Sequence, residues 1–245
     1  MAIRQETQRA RTAVDRHTIL RDQPLFRGLL FRGLGPESID RLCSFATTRA
    51  VPRGGTIFAK GDPGSSLYAV RLGTVKISAP SADGRDVVFN FVNEGGIFGE
   101  IALLDGNLRT ANATAATDCE LIVIDRRDFV PLARSQPEIL LNLIEVLCLR
   151  LRHTSEQVED LMFLHLPGRL AKVLLQLTES AKPSPFGRKV AITQREIGQI
   201  TGMSRESTNK QLRSWKERKL VRLERGGIVV LAPDALATIA ERDTN

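Results

Sequence analysis

The chain has 245 residues, 42% of them hydrophobic, with 35 Lys+Arg against 28 Asp+Glu and a formal net charge of +7. That is room for one large or two modest domains with a full core, and no apolar run approaches the roughly 20 residues needed to span a bilayer. Met1 to Asp22 lacks the apolar core of an export signal, and Cys43, Cys119 and Cys148 form no Cys-x-x-Cys, so neither a disulfide framework nor a zinc site is indicated.

These features predict a cytoplasmic protein whose cysteines are reduced packing residues. The charge excess is uneven. Residues 1–167 carry 20 basic and 20 acidic side chains, whereas residues 168–245 carry 15 and 8. A basic terminal part on a neutral body predicts that this part meets a polyanion.

In chain order, residues 1–23 read as an extension, a loose helix or a partly disordered arm. Residues 25–34 repeat Leu-Phe-Arg-Gly-Leu in tandem, too short a unit for a repeat architecture. Ile39, Leu42, Cys43 and Phe45 predict a helix over Pro36 to Ala46. From Val51 to Ile124, short apolar runs at Leu67–Leu72, Val75–Ser78, Val87–Val92 and Leu121–Ile124 alternate with turn signals. One of these, Asp83-Gly84, is a hairpin signal. Short strands at this spacing predict a β-sandwich or barrel. Residues 50–135 contain no histidine, which excludes a His-ligated metal in that barrel.

Inside the barrel lies Phe98 to Thr114, where Gly99 and Gly106 bracket the apolar run Ile101 to Leu104. A glycine at the start of a helical turn lets backbone approach a ligand closely, and the unpaired amides of that turn favour an anion. Glu100 opens the turn and Arg109 follows across the loop. A carboxylate accepts from hydroxyls and repels a bare phosphate, whereas a guanidinium clamps a phosphate through two parallel hydrogen bonds. The combination suits a ligand carrying both a sugar hydroxyl and a phosphate.

Arg126 to Ala133 predicts a short helix. Pro137 then opens a long one reaching about Leu164, with the seam Leu140, Ile144, Leu147, Leu151, Thr154, Val158 and Leu161. Steps of four and three make this a heptad seam that prefers a partner helix, with Thr154 its one polar member. Pro167-Gly168 predicts a hinge or domain boundary, Arg169 to Ala181 an amphipathic helix, and Pro183 to Gly187 a loop. Thr193-Gln-Arg-Glu196 is a capping box opening a helix that Gly202 ends. Ser204 caps a second helix, Arg205 to about Lys219, which buries Leu212 and Trp215. Helix, glycine turn and helix form a helix-turn-helix signature, and Val221–Glu224 with Ile228–Leu231 predict a hairpin wing. The basic excess points this unit at DNA.

The Phe98–Thr114 stretch resembles the phosphate-binding cassette of cyclic-nucleotide-binding domains, at the spacing of the kinase regulatory-subunit version. The order of cassette barrel, long helix and winged helix-turn-helix, over roughly residues 24 to 232, resembles the CRP/FNR family of bacterial transcription regulators, in particular its cyclic-AMP-receptor branch. Ile-Gly-Gln-Ile-Thr-Gly-Met-Ser-Arg-Glu at 197–206, Glu138-Ile-Leu and Thr154-Ser155-Glu156 carry the likeness.

The resemblance implies an α+β chain. Residues 24–136 would form a double-stranded β-helix (jelly-roll) cyclic-nucleotide-binding domain, 137–166 a dimerisation helix, and 167–245 a winged helix-turn-helix domain. It implies cyclic AMP, or cyclic GMP, as effector, with no metal. Double-stranded DNA, a second copy of the chain and RNA polymerase are the implied partners. Gly99, Glu100 and Ile101 fall on the ribose-binding turn, Arg109 and Thr110 on the phosphate contacts, Arg150 near the phosphate, Thr154 at the purine, and Ser155 on a residue reaching in from the partner. Arg109-Thr110-Ala111-Asn112 is similar to cyclic-GMP cassettes, whereas Thr154-Ser155 favours cyclic AMP. Thr193, Ser204, Arg205, Glu206, Thr208, Asn209 and Lys210 fall on the DNA-contacting positions. Lys210 replaces an arginine, so the half-site is expected to differ from the family's TGTGA. An N-terminal cysteine cluster for iron–sulfur is missing, and His17, His153 and His165 lie outside the barrel. The alternative that the resemblance leaves is a regulator of the same type with another effector or none.

Overall fold

The computed structural model describes residues 29–80, 86–179, 183–184, 187–190 and 192–242. The extension at 1–23, the first copy of the tandem repeat through Gly28, the Asp83-Gly84 turn and residues 243–245 lie outside them. The chain forms two compact units. One runs to Ala79 and includes Asn90–Arg150; the other holds Pro80–Phe89 and everything from Leu151.

The first unit opens with a 3-10 turn, Leu29–Phe31, and helix α1, Pro36–Phe45. Eight strands follow in the chain, of which Pro80 of β4 and Asp86–Phe89 of β5 group with the second unit: β1 Thr47–Val51, β2 Thr56–Phe58, β3 Ser66–Leu72, β4 Val75–Pro80, β5 Asp86–Val92, β6 Ile97–Phe98, β7 Asn112–Ala115 and β8 Cys119–Asp125. They make two four-stranded sheets, ordered β1-β8-β3-β6 and β2-β7-β4-β5, a jelly-roll arrangement. Residues 66–70 of β3 are all buried, because its sheet is covered on both faces. Tyr68, Val70 and Leu121 face the space between the sheets with Val51, Ile57, Val75 and Phe98. Leu67, Ala69, Ile122 and Ile124 face outward onto a second core. Helices α2, Glu100–Asp105, and α3, Arg126–Ser135, complete the cassette and close the barrel sequence.

Helix α4, Pro137–Phe163, belongs to the first unit as far as Arg150. Ile139, Leu143 and Val146 are buried in the outer core with Leu30, Phe31 and Leu42. The predicted seam, apart from Leu140, which packs against this core, lies on a different face. Ile144 is 54% exposed, Leu151 68%, Val158 50% and Leu161 56%, while Leu140 and Leu147 are half-buried. One side of α4 is thus spent on its own barrel, and Ile144, Leu151, Val158 and Leu161 of the heptad stripe stay exposed.

The second unit continues with α5, Leu166–Glu179; β9, Pro183–Ser184; β10, Gly187–Val190; α6, Gln194–Thr201; α7, Arg205–Glu217; β11, Val221–Glu224; β12, Gly227–Val230; and α8, Pro233–Arg242. Its sheet order is β11-β12-β10-β9. Leu170, Leu174, Ile197, Leu212, Trp215, Val230 and Leu236 make its core. The helical run is interrupted at Leu164–His165, just before the expected hinge or boundary at Pro167-Gly168, and Pro167 sits in the first turn of α5, where a missing N–H costs nothing. One expectation is corrected here. The predicted loop 183–187 holds an antiparallel pairing, Gly187 opposite Ser184 and Arg188 opposite Pro183. Proline serves there because an edge strand has an N–H it need not donate.

Candidate nucleotide and DNA sites

In the first unit, Gly99 caps α2 at φ 83°, a left-handed conformation that side chains rarely adopt. A Cβ there would lie 2.7 Å from Arg109 Nη1 and 3.1 Å from the Ser66 carbonyl. The glycine therefore serves the arginine as much as the turn. Arg109 is 4% exposed. Its Nη1 donates to the Gly99 carbonyl and its Nη2 to that of Ser66, both at 2.8 Å. The guanidinium lies 4.2 Å over the ring of Phe58 and 5.6 Å from that of Tyr68. Burial pushes it below its ordinary pKa, while Tyr68, Glu100 and Asp62 act to hold the charge.

Glu100 is 2% exposed and forms an ion pair with Arg150 of α4, and Arg150 also donates to the Ile97 carbonyl. The structure thus brings Gly99, Glu100, Arg109 and Arg150 together. Two buried atoms of this group have no hydrogen-bond partner, Glu100 Oε2 and Arg109 Nε. An unpaired buried carboxylate oxygen costs free energy unless a donor reaches it. A ligand hydroxyl on Glu100 and an anionic oxygen on Arg109 would satisfy both, so the residues fit a ligand with both groups.

Ile101 and Thr110 are exposed, and Asn112 Oδ1 accepts from the backbone N–H of Lys60 at 2.7 Å. Thr154 and Ser155 lie on the α4 segment of the second unit, both exposed, and Ser155 Oγ donates to the Leu151 carbonyl of its own helix. Sequence reasoning missed Phe58 and Tyr68: they sit on strands far from the cassette, and only the fold lays their rings beside Arg109. Among the described residues no group of His, Cys, Asp and Glu could hold a metal ion, and no helix is long and apolar enough to cross a membrane.

In the second unit, Thr193 caps α6 in a reciprocal box with Glu196, and Gly202 ends it at φ 68°. Ser204 caps α7 by accepting from the Ser207 N–H. Arg205, Glu206 and Lys210 open α7 on its exposed side. Thr208 differs from expectation. It is fully buried, its hydroxyl donates to the Ser204 carbonyl at 2.9 Å, and a Cβ on Gly198 would lie 2.9 Å from that oxygen. Thr208 sits between α6 and α7 and locks their crossing, so no surface of it is left for DNA. The wing tip is Arg225-Gly226, with Gly226 at φ 73°. Behind it Glu224 pairs with Lys189 and Arg222, both at 2.8 Å, which holds its carboxyl below the ordinary carboxylate value.

Comparison with known proteins follows the same division. Residues 48–136 match the cyclic nucleotide-binding domain, and residues 168–239 match the Crp-like helix-turn-helix domain. Over 219 residues the chain is 36% identical to a CRP-like cAMP-activated global transcriptional regulator of Mycobacterium tuberculosis, covering 88% of this chain and 98% of that one. It is 34% identical over 211 residues to the cyclic AMP receptor protein of Thermus thermophilus, covering 86% and 96%. Among solved structures it is similar to the c-di-GMP-responsive global regulator CLP of Xanthomonas campestris, with a TM-score of 0.73, 26% identity and coverage of 80% and 99%. The catabolite activator protein of Thermus thermophilus gives 0.51, 33%, 87% and 98%. A jelly roll with a buried acid and arginine in its cassette, a winged helix-turn-helix, and this identity over most of its length leave one conclusion: the chain is not an enzyme but belongs to the CRP/FNR family of transcription regulators.

Proposed function

We propose that the protein is a cyclic-AMP-dependent dimeric regulator that binds palindromic DNA when the nucleotide occupies the cassette. The observation that carries this is the buried pair of unmatched atoms, Glu100 Oε2 and Arg109 Nε. A cyclic nucleotide supplies a 2′-hydroxyl donor for the first and a phosphate oxygen for the second. Activation by cAMP in the M. tuberculosis relative supports the choice of nucleotide. The open stripe of Ile144, Leu151, Val158 and Leu161 supports pairing with a second copy through α4. Two recognition helices in such a dimer address half-sites about one helical turn, roughly 34 Å, apart.

Calorimetric titration with cyclic AMP, cyclic GMP and cyclic di-GMP tests the effector. Cyclic AMP binds most tightly; Arg109→Ala costs about 2–3 kcal/mol of that affinity by removing the charge partner of a desolvated phosphate, and Glu100→Ala weakens it by removing the hydroxyl acceptor. Unchanged affinity in both variants places the ligand elsewhere. Switching is tested by linkage. A preference of about 100-fold for the DNA-competent state corresponds to about 2.7 kcal/mol, and operator DNA must tighten nucleotide binding by the same factor.

A further inference from the structure

Arg109 is 4% exposed, and the buried acid nearby, Glu100, is paired with Arg150 instead. What meets the Arg109 guanidinium is the carbonyls of Gly99 and Ser66 and the rings of Phe58 and Tyr68. The rings come from β2 and β3 and form one cluster with Phe98 of β6. Tyr68 stacks on Phe98 at 5.1 Å, and Phe58 lies 5.6 Å from Tyr68. Phe58 reaches this place through an irregularity. Neighbours along a strand point to opposite faces, yet Ile57 and Phe58 both pack into the core between the sheets. The pairing of β2 with β7 shifts register between Thr56 and Phe58, and a bulge re-aims a side chain. The ladder breaks at the point where it lays a ring over the arginine.

We propose that Phe58 and Tyr68 are positioning residues for the nucleotide phosphate: their ring faces hold the Arg109 guanidinium buried and charged without neutralising it. This rests on the cassette being the cyclic-nucleotide site. A carboxylate in their place would cancel the charge and repel an incoming phosphate. A ring face attracts a cation through its quadrupole and brings no net charge of its own. The carbonyls of Gly99 and Ser66 each take one bond, from Nη1 and Nη2, and a guanidinium has further donors for phosphate oxygens. A full positive charge out of bulk water then faces the phosphate, where the attraction is stronger than in solvent. Phe58 carries the larger share, its ring centre lying 4.2 Å from the guanidinium against 5.6 Å for Tyr68.

The test is titration of the full chain with cyclic AMP and cyclic GMP, and with adenosine as an uncharged competitor that keeps the base and sugar. Mono-, di- or trifluorinated phenylalanine at position 58 keeps the shape of the ring and drains its negative face, so the fold is preserved; thermal melting checks this. Affinity for cyclic AMP falls stepwise with fluorination, to about tenfold below the parent, while affinity for adenosine holds. Phe58→Leu shows the same selective loss, and Phe58→Tyr, which restores a ring face at a half-buried position, recovers the parent affinity. Tyr68→Leu loses less than Phe58→Leu, and Tyr68→Phe loses least. If fluorination leaves cyclic-AMP affinity unchanged, or weakens cyclic AMP and adenosine alike, the rings only fill the core and the proposal is overturned, while a loss in Arg109→Ala still upholds the nucleotide site. If the parent chain binds neither cyclic nucleotide, the nucleotide reading itself fails and takes the proposal with it.

Discussion

Arg150 of α4 holds the carboxylate of Glu100 in an ion pair, with the glutamate side chain 2% exposed and the arginine 30%. The same guanidinium donates to the Ile97 carbonyl, so a single side chain ties α4 to the strand that leads into the cassette. A buried carboxylate this close to the proposed ligand site depends on its partner in both senses, for folding and for being aimed.

Arg150→Ala leaves that carboxylate buried without its counter-charge and costs about 3 kcal/mol of stability. Arg150→Lys keeps the charge but loses the planar fork, and falls between. Urea denaturation midpoints of the three proteins measure this. An alanine variant as stable as the parent shows that solvent, not Arg150, compensates Glu100.

Gly99→Ala places a methyl 2.7 Å from Arg109 Nη1 at a backbone φ of 83°. The residue must strain or the guanidinium must move. The expected outcome is a loss of about 1–2 kcal/mol in stability together with weaker cyclic-nucleotide binding. Melting and calorimetry on the same sample separate the two effects; full retention of binding shows that the position of Arg109 is not critical.

Ile144→Glu with Leu151→Glu changes two residues that are more than half exposed in the protomer. The protomer keeps its fold, and a dimer that pairs along this stripe is lost because like charges meet at its axis. Leu147 is half-buried, so changing it confuses association with folding. Sedimentation gives the answer: a double variant that remains dimeric pairs through another surface.

Gly198→Ala drives a methyl to 2.9 Å from Thr208 Oγ1 and 3.2 Å from the Met203 carbonyl. The α6–α7 crossing must open, at a cost of about 1–3 kcal/mol for overpacking a tight core contact. DNA affinity falls with it although no DNA-facing side chain has changed. The pair Gly198→Ala, Thr208→Ala recovers part of both losses if the clash is with Thr208, and none if it is with the Met203 backbone.

The Glu224 carboxyl is held below its ordinary value of 4.5, first by its hydrogen bond to Lys189 and then by that to Arg222. A depressed folded-state pKa means the contribution is whole above the ordinary value and is lost as pH falls through the lower folded value. The wing therefore loosens only on acidification through and below the ordinary carboxylate range. Amide exchange in β11 and β12 from about pH 6 to about pH 3 follows this, and Glu224→Gln removes the dependence. The same acid loosening in the glutamine variant assigns it to other carboxylates.

Patterns carried by neighbours in the chain were legible without a structure. The Gly99, Glu100, Arg109 spacing marked out a glycine turn whose acid and arginine are both buried. The steps of four and three marked the stripe in which Ile144, Leu151, Val158 and Leu161 are exposed, and the Thr193 and Ser204 caps with Gly202 between them set out the helix-turn-helix. Each depends on helix period, capping or turn geometry, which a few consecutive residues determine.

The remainder depended on residues distant in sequence. β7, Asn-Ala-Thr-Ala, has little strand propensity of its own and is a strand because β2 and β4 pair with it on either side. Ile139, Leu143 and Val146 share α4 with the open seam, and only the outer core of the barrel shows which stripe is already occupied. Thr208 stands on the helix that the exposed Arg205, Glu206 and Lys210 open, yet close packing against Gly198 buries it. Arg109 meets Phe58 and Glu100 meets Arg150 across 51 and 50 residues of chain. Burial and charge pairing are properties of surfaces that meet only on folding, so they were decided by the tertiary structure and not by any local stretch of sequence.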